Sequence, residues 1–187
     1  MTRVWMIRHG KPSATWGDKD DDPGLDETGH AQARAAAEAL AALPDAPKVV
    51  ISSPLRRCRE TAQPYADALG VELIIDPRVG EIPTPKAVAH ADRGAWLSNA
   101  FGGTWGAIQG DLDYEDWRRE VTAAVAGYAG AAVFSHYVAI NAAVSLALGE
   151  DQVIAFRPDH ASITTFEPKG EALVLIEKGR EAATSVL

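Results

Sequence analysis

Short apolar runs alternate along this chain with longer segments of helical spacing, and this alternation constrains the fold more than any other feature. The apolar runs predict strands at residues 3–8, 48–52, 71–75 and 133–135. The segments between and after them predict helices at residues 28–43, 54–70, 87–99, 112–128 and 138–148. Such alternation predicts an α/β protein, a three-layer sandwich whose mostly parallel central sheet carries helices on both faces.

The C-terminal part of the chain has a different pattern. Three apolar runs, at residues 153–156, 162–166 and 172–177, follow one another without a helix between them and predict strands. The break between the last two is short and contains Pro168 and Gly170, which predicts at least one antiparallel pair near the C-terminus. Internal repeats and interdomain linkers are not evident, so residues 1–187 are predicted to form a single domain.

Composition excludes several classes of protein. The formal net charge of −8 argues against nucleic acid and against an anionic membrane surface as partners. No run approaches the roughly 20 apolar residues of a membrane-spanning helix, and the chain begins with a strand pattern rather than a signal peptide, which predicts a cytoplasmic protein. The single cysteine, Cys58, excludes an intramolecular disulfide and predicts a packing residue on a helix face. The sequence leaves the oligomeric state open.

Unusual polar residues follow three of the predicted strands. Ligands of open α/β sheets bind beyond the carboxyl ends of the strands, so these positions carry the most information about function. They are Arg8-His9-Gly10, Ser52-Ser53-Pro54 with Arg56-Arg57 close behind, and Ser135-His136. Each residue taken singly is more often structural, but their joint appearance at three strand ends predicts an anion site that contains a nucleophile.

A phosphoryl group fits such a site well. Its charge is spread over three oxygens, and each arginine fork can donate two hydrogen bonds to them while staying charged at working pH. A neutral imidazole can attack the phosphorus, and neighbouring arginines would lower its pKa and keep it unprotonated. A second imidazole could donate to a phosphoryl oxygen.

The chain also resembles the histidine phosphatase superfamily, the phosphoglycerate mutase-like proteins. The resemblance begins with the triplet Arg8-His9-Gly10 after the opening strand. It continues, in the family's order, through residues 22–33 (DPGLDETGHAQA), 52–62 (SSPLRRCRETA), 76–81 (DPRVGE) and 133–136 (VFSH). These motifs cover nearly the whole chain, and their ordered set is far more specific than the triplet alone.

The resemblance implies roles for five residues. His9 is implied to be the nucleophile that becomes phosphohistidine, and Arg8, Arg57 and His136 to complete the phosphate pocket. Glu81 stands where many members of the family keep the proton donor to the leaving oxygen. No cofactor and no metal ligand are implied.

Four further residues are candidates for substrate binding. Gly10 would let the backbone approach a ligand closely, and the amide of Tyr137 could donate to an oxyanion from a helix start. Arg56 is favoured as a helix surface residue, with an exchange of roles between it and the arginine that follows left open. His160 is favoured as a turn residue, with a peripheral substrate contact as the alternative.

The leading functional prediction is a metal-independent phosphomonoester hydrolase acting on a small phosphorylated metabolite. The alternatives are a phosphoglycerate mutase-type phosphotransferase and a non-catalytic module that binds a phospho-ligand or a protein on the same fold. A dinucleotide-binding protein is disfavoured because no G-x-G-x-x-G follows the first strand, and a zinc hydrolase because the five histidines lack paired spacing. The acidic run Asp18, Asp20, Asp21 and Asp22 is predicted to be a solvated turn.

Overall fold

A mixed β-sheet forms the centre of the computed structural model, which describes residues 2–14 and 20–183; Asp18 of the acidic run lies outside them. In the described residues the strands are β1 (Val4–Arg8), β2 (Val49–Ser52), β3 (Ile74–Ile75), β4 (Ala131–Ser135), β5 (Ile163–Lys169) and β6 (Ala172–Glu177). Their order across the sheet is β3-β2-β4-β1-β5-β6. The first four in that order run parallel, and β5 pairs antiparallel with both β1 and β6. The predicted α/β class and the antiparallel C-terminal strands are thus confirmed.

Helices cover both faces of this sheet. They are α1 (Glu27–Ala41), α2 (Arg56–Leu69), α3 (Arg93–Phe101), α4 (Tyr114–Ala126) and α5 (Tyr137–Leu148). Alternate residues of β1 point to opposite faces, so Trp5 packs in the core with α1 and α2, whereas Met6 packs in the core with α4 and α5. All five residues of β1 are buried, as expected for a strand enclosed by two helical layers. None of the described helices is both long enough and apolar enough to cross a bilayer.

Local sequence signals explain where the helices begin and end. The Asp26 side chain accepts a hydrogen bond from the Gly29 amide at 2.7 Å and caps α1, and Asp113 caps α4 in the same way. Helices α2 and α5 end at Gly70 and Gly149, whose φ angles of 67° and 68° lie in the left-handed region that glycine tolerates. Helix α3 is shorter than predicted, since residues 87–92 precede it as a turn and a short 3₁₀ helix.

The strand prediction for residues 153–156 is wrong. The amide of Val153 donates to the Gly103 carbonyl at 3.1 Å. The amides of Ala155 and Phe156 both donate to Oδ1 of Asn141, at 2.9 and 3.1 Å. One buried amide side chain on α5 therefore satisfies this backbone in place of a neighbouring strand, and the apolar pattern reflects packing of an irregular segment.

Candidate active site

The carboxyl ends of β1, β4 and β2 lie side by side, because these strands are neighbours in the sheet and run in the same direction. The pairing continues one residue past the strands: the His9 amide donates to the Ser135 carbonyl, and the Ser53 amide to the Phe134 carbonyl, both at 3.0 Å. This register places His9, Ser53 and His136 next to one another. The predicted convergence of three strand ends is therefore present.

His9 presents one ring nitrogen for chemistry. The side chain is buried, and its Nδ1 lies 2.8 Å from the Gly10 carbonyl oxygen. A carbonyl can only accept, so the hydrogen-bond pattern assigns the proton to Nδ1 and the lone pair to Nε2. Burial, followed by the charges of Arg57 and Arg8, holds the pKa of His9 well below 6.5. His9 is thus neutral at neutral pH and suited to act as a nucleophile, with burial the larger cause and the arginines a second one.

The His136 ring packs against the His9 ring, with 5.4 Å between the ring centroids, and is completely buried. Its Nδ1 lies 3.2 Å from Nη2 of Arg57, which can only donate, so the proton is assigned to Nε2. Nε2 lies 2.7 Å from Oγ of Ser53 and donates to it. Both nitrogens of the His136 ring thus lie against protein groups.

Two buried arginines and one carboxylate complete this cluster. Nη1 of Arg8 donates to the Pro158 carbonyl at 2.9 Å, and burial lowers the pKa of Arg8 to about 10, which leaves it charged at neutral pH. Arg57 Nη2 lies 3.6 Å from Glu81 Oε2, and the same oxygen lies 3.5 Å from His136 Nδ1. A neutral imidazole, two cations and a carboxyl group in one cluster are the groups that phosphoryl transfer requires.

Arg56 and Gly10 are held by protein groups outside and beside the cluster. Arg56 is exposed, and its Nε donates to Glu60 Oε1 at 2.7 Å one helical turn away, so the structure does not bring it into the cluster. At Gly10 a Cβ atom would lie 2.7 Å from the Gly29 carbonyl oxygen. The packing of two backbones therefore requires glycine at this position.

Tyr137 and His160 each contact a residue of the cluster. Tyr137 begins α5, as predicted, and the Arg8 guanidinium stacks over its ring at 5.1 Å. The ring centroid of His160 is 5.8 Å from that of His9, and burial lowers the pKa of His160 to about 4. The following residue, Ala161, has a φ of 56° and donates its amide to the Arg8 carbonyl at 3.1 Å. His160 thus belongs to a tight turn and also borders the pocket.

Three residues near the cluster received no role from the sequence. Ser53 and Thr61 lie within the motif of residues 52–62, and both are completely buried although polar. Arg93 begins α3 in the least regular part of the chain; burial lowers its pKa, and the charges of Glu81 and Arg57 act on it. A buried hydroxyl inside a functional motif was the available signal for the first two. Arg93 stands in no motif, so the sequence carried no signal for its place near the cluster.

Metal-binding geometry is not found at this site. Across residues 2–14 and 20–183, no group of three or more His, Cys, Asp or Glu side chains is arranged to hold a metal ion.

Cys58 lies beneath His136, with its sulfur 3.3 Å from the Ser135 carbonyl oxygen, and burial raises the pKa of the thiol to about 12. The prediction of a packing role for Cys58 is confirmed.

Acidification from pH 7 to pH 5 is expected to lower the free energy of unfolding. The pKa values of His9 and His136 lie well below 6.5 in the folded protein, so below pH 6.5 the unfolded chain binds protons that the folded chain does not. Each such histidine contributes a loss of up to about 1.4 kcal/mol per pH unit. Urea unfolding at pH 7, 6 and 5 measures this slope.

A histidine variant tests whether histidines, rather than carboxylates, produce this slope. Asp76, whose pKa is lowered to about 2 by its bonds to Arg78, loses its contribution only below its unfolded value of 3.8, outside this range. His160→Asn should flatten the slope, because the pKa of His160 is also lowered, to about 4. A free energy of unfolding that stays level or rises on acidification would contradict the assignment of neutral buried histidines.

Comparison with known proteins agrees with the motifs and the fold. The model of the histidine phosphatase superfamily (branch 1) matches residues 4–179 of the chain. A curated 2,3-bisphosphoglycerate-dependent phosphoglycerate mutase from Thermoplasma acidophilum is 31% identical over 172 residues, which cover 87% of this chain and 85% of that protein.

Solved structures share the fold over almost their full length. A phosphoserine phosphatase from Entamoeba histolytica, in complex with 3-phosphoglyceric acid, superposes with a TM-score of 0.75 at 21% identity and covers 96% of this chain and 98% of its own. A mycobacterial glucosyl-3-phosphoglycerate phosphatase, in complex with inorganic phosphate, gives a TM-score of 0.71 at 23% identity, with 99% and 100% covered. At these identities the likeness is one of fold.

Proposed function

The chain belongs to the histidine phosphatase superfamily, and from the geometry of its site we propose that it is a metal-independent phosphomonoester hydrolase acting through phosphohistidine on His9. One observation carries the proposal. His9 Nδ1 is held by the Gly10 carbonyl at 2.8 Å, which leaves the lone pair on Nε2, and the charges of the buried side chains of Arg57 and Arg8 act on the same ring. The proposed substrate is a small phosphorylated metabolite.

In the first step, Nε2 of His9 attacks the phosphorus and a P–N bond forms while the bond from phosphorus to the leaving oxygen breaks. Arg8 and Arg57 stabilise the charge on the equatorial oxygens. The carboxyl group of Glu81 donates a proton to the leaving oxygen, which departs as an alcohol. The enzyme is left with phosphohistidine and an ionised Glu81.

In the second step, water attacks the phosphorus of phosphohistidine and the P–N bond breaks. Ionised Glu81 takes a proton from the attacking water, which restores its carboxyl group. Inorganic phosphate leaves, and His9 recovers its neutral ring with the proton on Nδ1. The cycle consumes one phosphomonoester and one water and requires no metal ion.

A mutase-type phosphotransferase is the second candidate, favoured by the 31% identity to the phosphoglycerate mutase. The two candidates differ in the fate of the phosphoryl group on His9. A hydrolase passes it to water, whereas a mutase passes it to another hydroxyl of a phosphoglycerate. Incubation with 3-phosphoglycerate and a small amount of 2,3-bisphosphoglycerate, which would phosphorylate His9 at the start, separates them. Release of phosphate from 3-phosphoglycerate supports hydrolysis, and formation of 2-phosphoglycerate supports transfer.

A screen of phosphorylated metabolites for released phosphate, before and after exhaustive chelation, tests the proposed function. Sugar phosphates, nucleotides, phosphoserine and phosphoglycerates form the panel, and an aryl phosphate serves as a general substrate. We expect hydrolysis of at least one member, unchanged by chelator. Activity that is lost on chelation and restored by one divalent ion would point to a different mechanism.

Glu81→Gln is expected to lower the hydrolysis of alkyl phosphates by about 100-fold or more, because an alkoxide needs a proton to leave. An activated aryl ester needs that proton little, so its initial burst should survive while its steady turnover slows for lack of a base. Rapid-mixing kinetics with both ester types measures burst and steady state separately.

Glu60→Gln is the matched control for this variant. Glu81 accepts the Ile82 amide at 3.0 Å and lies beside Arg57. Glu60 likewise accepts the Leu25 amide at 2.7 Å and pairs with Arg56 at 2.7 Å, but it lies outside the cluster. It should leave both ester types unaffected. An equal loss for the alkyl and aryl esters in the burst of Glu81→Gln would make Glu81 a binding or structural residue.

A further inference from the structure

Thr61 joins helix α2 to the loop that carries the nucleophile. It lies one helical turn after Arg57 and is completely buried. Its hydroxyl donates to the Arg57 carbonyl at 2.6 Å, and its oxygen accepts the Gly10 amide at 2.9 Å. The direction of both bonds is fixed, because an amide can only donate and a carbonyl can only accept.

Gly10 is the residue that orients His9. Its carbonyl accepts the Nδ1 proton of His9 at 2.8 Å, and this bond sets both the tautomer and the direction of the ring. On its other side Gly10 packs against Gly29, where a Cβ would lie 2.7 Å from the carbonyl oxygen. Gly10 is thus held between Thr61 and Gly29. The contact with Gly29 is backbone packing, whereas the contact with Thr61 is a hydrogen bond that substitution of the Thr61 side chain can remove.

We infer that Thr61 is a positioning residue, which fixes the tautomer and ring direction of His9 through Gly10 while it bonds the backbone of Arg57. This inference rests on the proposed function of His9. Thr61 acts through other residues and does not hold the phosphoryl oxygens. Its loss should therefore slow phosphorylation of His9 and leave the affinity for phosphate nearly unchanged.

Thr61→Val removes both hydrogen bonds at nearly constant volume, and Thr61→Ser keeps them. In rapid-mixing experiments with an aryl phosphate, Thr61→Val should lower the burst rate constant by about 10-fold or more, as expected for a misdirected nucleophile. Thr61→Ser should stay close to the unsubstituted protein. Inhibition by inorganic phosphate should change little in either variant.

Thr122→Val is the matched control. Thr122 on α4 is equally buried, and its hydroxyl donates to the carbonyl four residues earlier, that of Arg118 at 2.9 Å. This variant removes the same kind of bond from a helix that does not carry a phosphate ligand of the proposed site. It should lower the melting temperature without changing the burst rate constant.

Nitrogen NMR of the imidazole rings supplies a readout that stability alone would not change. The resonance of His9, assigned by its loss in His9→Ala, should report a proton on Nδ1 in the unsubstituted protein and a mixture of tautomers in Thr61→Val. If Thr61→Val does not fold, Thr61→Ala removes the same bonds at smaller volume and takes its place.

The outcomes distinguish this inference from the proposed function. Equal burst rate constants in Thr61→Val and Thr122→Val, or an unchanged His9 tautomer in Thr61→Val, would overturn the positioning role. If the unsubstituted protein formed no phosphohistidine, the proposed function would fail. The tautomer measurement would still decide whether Thr61 controls the His9 ring.

Discussion

Replacing His9 with alanine is expected to lower phosphomonoester hydrolysis by at least about 1,000-fold, the scale of losing a covalent nucleophile. The remaining pocket should still bind inorganic phosphate, since Arg8 and Arg57 are unaltered. Isothermal titration with phosphate and a phosphate-release assay measure the two properties on the same preparation. Full turnover by His9→Ala would remove His9 from the mechanism.

His30→Ala is a control for His9→Ala, since the His30 side chain is 49% exposed on α1. It removes an imidazole without touching the strand ends. Its activity should match that of the unsubstituted protein. A comparable loss in both variants would indicate a general effect of histidine removal, such as misfolding, which the phosphate titration would also reveal.

Arg57→Ala is expected to lower kcat/KM by about 100- to 1,000-fold, which corresponds to the loss of one oxyanion contact. It also removes the cation beside Glu81 Oε2 and the donor to His136 Nδ1, so phosphate affinity should fall as well. Arg57→Lys keeps the charge but not the planar fork, and it should recover only part of the rate. Steady-state kinetics and phosphate titration measure both effects.

Arg56→Ala is the matched control, because it removes the adjacent arginine of the same helix. The Arg56 side chain is exposed and bonds Glu60, so its loss should change kcat/KM by less than about threefold. If Arg56→Ala lost activity and Arg57→Ala retained it, the two arginines would have exchanged the roles assigned here.

The sequence could predict which residues converge at the candidate site because parallel strands bring their carboxyl ends to one edge. His9 and His136 stand directly after apolar runs, so strand prediction alone placed them together. The choice between Arg56 and Arg57 depends on which face of the helix each side chain occupies. Arg57 shares its face of α2 with the buried Thr61 and Arg56 shares its own with Glu60, which is visible once the helix is assigned.

Other features depend on contacts that no local pattern encodes. The bond between Arg57 and His136 joins residues 79 positions apart, and it determines which ring nitrogen of His136 carries the proton. Residues 153–156 have the composition of a strand, yet Asn141 of helix α5 satisfies two of their amides. Apolar composition reports burial, and it does not specify which group will accept the backbone hydrogen bonds.

Rapid quenching with ³²P-labelled substrate tests the central claim most directly. The label should appear within the first turnover as an acid-labile, alkali-stable adduct on the peptide that contains His9, and it should be absent from His9→Ala. Label on any other residue, or turnover with no labelled protein at any quench time, would contradict a phosphohistidine intermediate on His9.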